Sequence, residues 1–302
     1  MSDAGKILER IGTLPPLPDT VLKLIRVLDD PRSTVDDIVE TIRYDQAITG
    51  EVLRLCNSAY FGLSRKVTSL GDAMLCLGTV KVMQLVMSVH TTNLLAKAQT
   101  GYGLDPGVLW KHSVAVALAS ATFSDHIKAT SGSVAFTAGL LHDIGKVVLN
   151  DYVADEFGEI VRRVTEEGVS FIDAERKVLG FSHEQIGGMI AEQWKLPEII
   201  VLCIRNHHDP GAVQPSNPLV DVVYLANCTC LMLGLGLGAD GLSYRAHPEV
   251  MERHELHESD LEKLGAQVLI DLKRVEGMLV DDSRTDDRLQ LTGSRQEGRS
   301  RR

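Results

Sequence analysis

The stretch GLLHDIGKVVL, Gly139 to Leu149, places two titratable side chains, His142 and Asp143, straight after a leucine pair, with Lys146 one turn beyond. Apolar residues flank the trio on both sides at helical rather than alternating spacing. A helix of this kind is buried, and a polar group taken out of water without a partner costs roughly 2–7 kcal/mol. Either protein groups inside the fold pair with these side chains, or a metal ion does. The fold class then depends on whether the rest of the chain is helical too.

Moving outward, nearly every segment is helical in pattern and no convincing strand period appears. Towards the N-terminus, Val21, Leu22, Leu24, Ile25 and Leu28 form one stripe, and STVDDIVETIRYD opens with a Ser/Thr cap and an acidic first turn. QAITGEVLRLCNSAYFG continues as a helix to Gly62, and the segment after Ser69 breaks at Gly78. The polar, glycine-containing KAQTGYGLDPG marks a lobe boundary at residues 98–106. Beyond it, Pro106–Ile127 and Ser133–Val153 each read as one helix, followed by an acidic amphipathic stretch over 155–180. SHEQIGGMIAEQWKLP begins with a capping box, Ser182 with Gln185. Helices starting at Pro197 and Pro218 come next, then one or two closing helices. The expected architecture is all-α, two packed helical lobes over 10–98 and 106–235, a C-terminal helical extension over 236–280, and a polar, disordered tail over 281–302.

Composition narrows the function classes. The 302 residues are 44% hydrophobic and carry a net charge of −10, which argues against non-specific binding to nucleic acid or an anionic membrane. No run of about 18 uninterrupted apolar residues is present. Glycines 234, 236 and 238 imitate a phosphate loop, but no strand precedes them and no GK[ST] follows. Five cysteines at irregular spacing (56, 76, 203, 228, 230) fit reduced thiols, and the expected location is cytoplasmic.

The histidines give the pattern its point. His112, His142, His183, His207 and His208 fall on or beside apolar faces of four successive helices, with Asp143 among them. A single histidine on such a face is ordinarily a core residue with a satisfied hydrogen bond. Five with a carboxylate form the donor set of zinc, iron, manganese and nickel sites. Lys146 can meet an anionic ligand, pair with Asp143, or reach solvent. His126, His247, His254 and His257 lie among charged residues and read as surface positions.

LLHDIGK resembles the signature of the HD superfamily of metal-dependent phosphohydrolases. The opening from Leu14 to Gly62, with NSAYFG (57–62) and SLGDAMLCLG (69–78), resembles HDOD domains, a bacterial signalling branch of that superfamily. WKHS, AGLLHDIGK, GFSHEQIGG, WKLP and NHHDP continue the likeness in order, so that it spans residues 10–235. The resemblance implies a second lobe built on an HD-like helical core and a regulatory role, many members having lost the HD ligands. Against the related HD-GYP phosphodiesterases, His112 matches the first ligand histidine, His142 and Asp143 the bridging pair, Lys146 the following lysine, and His183, His207 and His208 the later histidines. Two positions depart: Val108 stands where trinuclear sites carry glutamate, and Asn227 where the hydrolases carry their last aspartate. HHDPGAVQP also lacks the GYP stretch.

Three readings follow. The first is a non-catalytic signalling module with a retained site for one or two divalent transition-metal ions (Fe, Mn, Zn or Ni), acting on other signalling proteins. The second is a metal-dependent phosphohydrolase of a nucleotide or phosphoester, with Lys146 opposing the developing charge. The third is a helical scaffold whose histidines only hydrogen-bond.

Overall fold

A computed structural model describes residues 3–14, 17–30, 32–57, 66–129, 131–236 and 247–276. Among these residues every regular element is helical, and extended pairing is confined to one antiparallel bridge, Gln99 with Leu104.

The first lobe comprises α1 (Asp3–Thr13), α2 (Asp19–Asp29), α3 (Val35–Ile42), α4 (Gln46–Cys56), α5 (Leu70–Leu77) and α6 (Thr79–Leu95). Polar side chains set where these helices start. Thr34 caps α3 in a capping box with Asp37, Asp45 accepts from the Ile48 N–H at α4, and Ser69 from the Asp72 N–H at α5. Gly78 separates α5 from α6 with φ +81°, a conformation that suits glycine because it has no Cβ. The stripe expected on α2 faces inward, with Val21, Leu24 and Ile25 buried and Leu22 and Leu28 packed at its edge. Of the NSAYFG motif only Asn57 lies within the described residues. Its amide donates to the carbonyls of Leu53 (2.7 Å) and Val67 (2.8 Å), and its Oδ1 accepts from the Val67 N–H (2.8 Å), so it ties the end of α4 to the approach to α5.

The second lobe comprises α7 (Val108–Ile127), α8 (Gly132–Leu141), α9 (Gly145–Glu167), α10 (Phe171–Leu179), α11 (His183–Gln193), α12 (Glu198–Asn206) and α13 (Pro218–Met232). Small residues let α7 and α8 approach closely. A Cβ on Gly139 would stand 2.9 Å from the Ala117 Cα and from the Val116 carbonyl oxygen. The helix expected from Ser133 to Val153 is interrupted by a turn at 142–144, so His142 and Asp143 occupy a corner between α8 and α9. The lobes meet where α6 packs on α7 and α8, α2 on α8, and α1 on α9 and α11. The run Gly132–Glu167 is long and apolar enough to cross a membrane, and 89% of its apolar window is buried inside the protein.

Helix α14 (Pro248–Arg253) and helix α15 (258–276) supply the C-terminal extension. Asp221, buried on α13, holds it: Arg253 Nη1 approaches the two carboxylate oxygens at 2.9 and 2.7 Å, and His254 Nε2 approaches Oδ2 at 2.8 Å. His254 is therefore not the surface histidine its charged neighbours suggest, because an aspartate 33 residues earlier turns it inward. Gly238 and the 281–302 tail lie outside the described residues.

Candidate metal centre

Five histidines and one aspartate converge at the centre of the second lobe, on the ends and corners of four elements. His112 comes from α7, His142 and Asp143 from the corner before α9, His183 from the first turn of α11, and His207 and His208 from the end of α12. Two close packings bring them together. A Cβ on Gly145 would lie 1.9 Å from the His183 carbonyl oxygen, so α9 and α11 touch backbone to backbone beside the candidate ligands. A Cβ on Gly236 (φ +78°) would lie 2.5 Å from His112 Cγ, so the chain after α13 lies against that ring.

Four rings are anchored through Nδ1. The acceptors are the carbonyls of Leu235 for His112 (3.0 Å), Gly139 for His142 (2.7 Å) and Ile204 for His207 (2.8 Å), and the Glu175 carboxylate for His183 (2.8 Å). A carbonyl only accepts, so Nδ1 carries the proton and Nε2 is left as a donor atom for a cation. These Nε2 atoms face Asp143. His142 and His112 stand 3.3 and 3.6 Å from its Oδ2, and His183 and His207 each stand 3.5 Å from its Oδ1. His208 Nε2 lies 3.1 Å from His183 Nε2. Asp143 thereby divides the cluster into two groups that share it, His112 with His142 and His183 with His207 and His208.

The separations test whether a metal fits. Donor atoms held at about 2.0–2.1 Å on a tetrahedral ion are separated by roughly 3.3 Å. The values of 3.3–3.6 Å match that spacing but are long for direct hydrogen bonds. His142 Nε2, His207 Nε2 and Asp143 Oδ1 are buried with no hydrogen-bond partner. Inward-facing donors without partners, at the spacing of a coordination shell, fit a metal better than a set of satisfied core histidines.

The electrostatics agree. Burial, with the neighbouring His142, lowers His112 to about 3, and burial lowers His207 to about 3 and His208 well below its ordinary value. These rings are neutral at pH 7, the form that binds metal. Burial opposes the charge on Asp143, but His142 and Lys146 hold it well below the usual carboxylate range. Burial likewise opposes the charge on His183, but Glu175 raises it.

All six expected ligands are thus brought together. Lys146, left open among three roles, donates to Asp143 Oδ2 at 2.7 Å. Asn227 is buried on α13, and its Oδ1 has no hydrogen-bond partner. Sequence reasoning missed Glu175, Glu184 and Tyr102. Glu184 is buried, accepts from Arg176 (2.9 Å) and the His208 N–H (3.3 Å), and is raised by burial. Glu175 falls on the buried stripe of α10 with Phe171, Ile172 and Ala174, the same signal of a charge on an apolar face that exposes Asp143.

The HDOD domain family model matches residues 14–210. An uncharacterised protein of Treponema pallidum is 30% identical over 245 residues, which cover 76% of this chain and 44% of that protein, so the chain spans less than half of that relative's length. Among solved structures, an HDOD domain protein of unknown function from Geobacter sulfurreducens is 28% identical, with 94% of each chain covered and a TM-score of 0.66. A signal transduction protein of Marinobacter aquaeolei, so named provisionally, shares the fold at 21% identity and TM-score 0.72, covering 91% of this chain and 64% of that one. A phosphohydrolase of Shewanella amazonensis, likewise provisionally named, shares it at 22% identity and TM-score 0.63, covering 90% and 96%.

Proposed function

The chain belongs to the HDOD family, and from that premise we propose that it is a non-catalytic signalling module whose His/Asp cluster holds one or two divalent transition-metal ions as part of the fold. One observation carries this reading: the cluster turns its donors inward and seals them. His112, His142, Asp143, Lys146, His183 and His207 are each 0–4% exposed, and His208 alone of the set is partly exposed. A phosphoester would have to reach donors that Leu235 and Gly236 cover on the His112 side. Lys146, the side chain that would oppose charge on a phosphate, is already paired with Asp143.

The ions would be held by Asp143 between the two histidine groups, with the oxygen of Asn227 as a neutral donor where related hydrolases place a carboxylate. A bound ion would supply the positive charge that lets six desolvated donors share one interior. The histidines would then lock α7, the α8–α9 corner, α11 and α12 together, and metal binding would appear as fold stability. The output would be contact with other signalling proteins of the cytoplasm.

Metal content by mass spectrometry, with parallel melting curves, tests the reading. The protein is expected to carry one or two ions per chain, and His142→Ala to lose them and melt earlier. Full metal content and an unchanged melting temperature in His142→Ala would return the cluster to core packing. The six assembled ligands favour one alternative, a metal-dependent phosphohydrolase acting on a nucleotide or phosphoester. Turnover of such a substrate by manganese- or iron-loaded protein, abolished by His142→Ala, would establish it in place of the non-catalytic reading.

A further inference from the structure

Tyr102 sits in the turn between the lobes, a single turn of 3₁₀ helix over Thr100–Tyr102 that is closed by the Gln99–Leu104 bridge. It is fully buried, and its surroundings belong to the metal centre. Its hydroxyl donates to Glu175 Oε1 at 2.6 Å. Its ring lies edge-on to His183 at 6.2 Å between centroids, packs on Phe171 at 5.9 Å, and has Lys146 Nζ over its face at 5.6 Å. Glu175, also fully buried, uses its other oxygen twice on one residue: Oε2 accepts from the His183 N–H at 3.0 Å and from His183 Nδ1 at 2.8 Å.

His183 has its ring anchored through Nδ1 on a charged acceptor, whereas His112, His142 and His207 use carbonyls. A carboxylate behind a ligating histidine fixes its tautomer and orientation and makes Nε2 a stronger donor. The turn that carries Tyr102 is itself pressed onto α9. The Gly101 N–H donates to Asn150 Oδ1 at 3.0 Å, and a Cβ at Gly101 would lie 2.8 Å from the Ala154 N. A chain of direct contacts therefore runs from the lobe junction through Tyr102 and Glu175 to the donor atom of His183.

We propose that Glu175 is the positioning residue for the His183 side of the metal centre and Tyr102 its tether, so that metal binding and the seating of the inter-lobe turn reinforce each other. The inference rests on the metal-site reading and adds a direction to it. Binding free energies couple reciprocally: if a seated turn improves the affinity for metal, metal must seat the turn by the same factor. The pair would then turn the occupancy of a sealed site into a change at the junction of the two lobes, where a regulatory module needs one.

Two variants of the full-length protein test this. Glu175→Gln keeps the shape and removes the charge; Tyr102→Phe keeps the ring with its packing and removes only the hydroxyl. Cobalt(II) serves as the probe, with affinity read by chelator competition, ligand geometry by the visible d–d spectrum, and seating of residues 97–104 by hydrogen exchange with and without the ion. The expected results are a cobalt affinity lower by about 10–100-fold in Glu175→Gln with an altered spectrum, a smaller loss in Tyr102→Phe, and cobalt-induced protection of 97–104 that is present in the wild type and reduced in both. A purely structural role would lower the melting temperature of the metal-free variants and leave affinity, spectrum and protection unchanged, which would overturn the proposal. Should Glu175→Gln fail to fold, Tyr102→Phe decides alone by the same readouts. Wild-type protein that takes up no cobalt would instead remove the metal reading itself.

Discussion

Substituting Gly145 by alanine inserts one methyl group where two helices touch. The new Cβ would lie 1.9 Å from the His183 carbonyl oxygen and 2.7 Å from the Gly187 N, against an ordinary contact of 3.4 Å or more. Both neighbours are backbone, so no side chain can rotate away, and α9 and α11 must separate by about 1.5 Å at this point. Overpacking a core costs about 1–3 kcal/mol, and a rigid clash belongs at the upper end. At roughly 2–4 °C per kcal/mol, metal-free Gly145→Ala should melt about 6–12 °C below wild type. The effect on metal should be larger. Two donors on one ion are at most about 4.2 Å apart, twice the bond length. His183 Nε2 and Asp143 Oδ1 start at 3.5 Å, so a displacement of about 0.7 Å along that line would prevent the two from sharing an ion. Cobalt(II) affinity is therefore expected to fall by about 100-fold or more, measured by chelator competition beside thermal melts in EDTA. Gly158 lies exposed in the same helix with nothing within 4 Å of its Cβ position. There the same change should stabilise by about 0.5–1 kcal/mol, since alanine restricts the unfolded chain more than glycine does. Gly145→Ala with wild-type melting and cobalt affinity would refute the backbone contact and the convergence built on it.

Acid should destabilise the metal-free protein. His112 and His207 are held at about 3 against an ordinary 6.5, so between those values the unfolded chain binds more protons and stability falls as pH falls. The loss at pH 5 is on the order of 2 kcal/mol per histidine, while His183, shifted upward, gives the opposite slope. Urea midpoints at pH 7.5 and pH 5 in EDTA check this, and equal midpoints would contradict it. Asn227→Asp should tighten divalent metal binding, because a carboxylate replaces a buried amide oxygen that has no hydrogen-bond partner. Chelator competition showing unchanged affinity would place Asn227 outside the coordination shell.

Much of this was legible locally. Helical period, caps at Thr34, Asp45, Ser69 and Ser182, and the break at Gly78 depend on residues within a turn of each other, and the fold follows them. The six candidate ligands could be read for a similar reason: a histidine or aspartate on an apolar stripe is conspicuous, because burying it without a partner is costly. The sequence by itself determined the helical class and singled out the candidate donors. Tertiary structure alone decided what depends on distance between remote segments. It placed His142 and Asp143 at a corner rather than within one helix, and set His112 and His142 against one oxygen of Asp143 and His183 and His207 against the other. It drew Glu175, eight residues before His183, and Tyr102, 73 residues before Glu175, in behind the His183 ring. It also turned His254 from a surface residue into a partner of buried Asp221. Periodicity reports which face of a helix is buried, but which faces meet is settled by close backbone contacts such as those at Gly139 and Gly145, which join residues that the chain itself keeps apart.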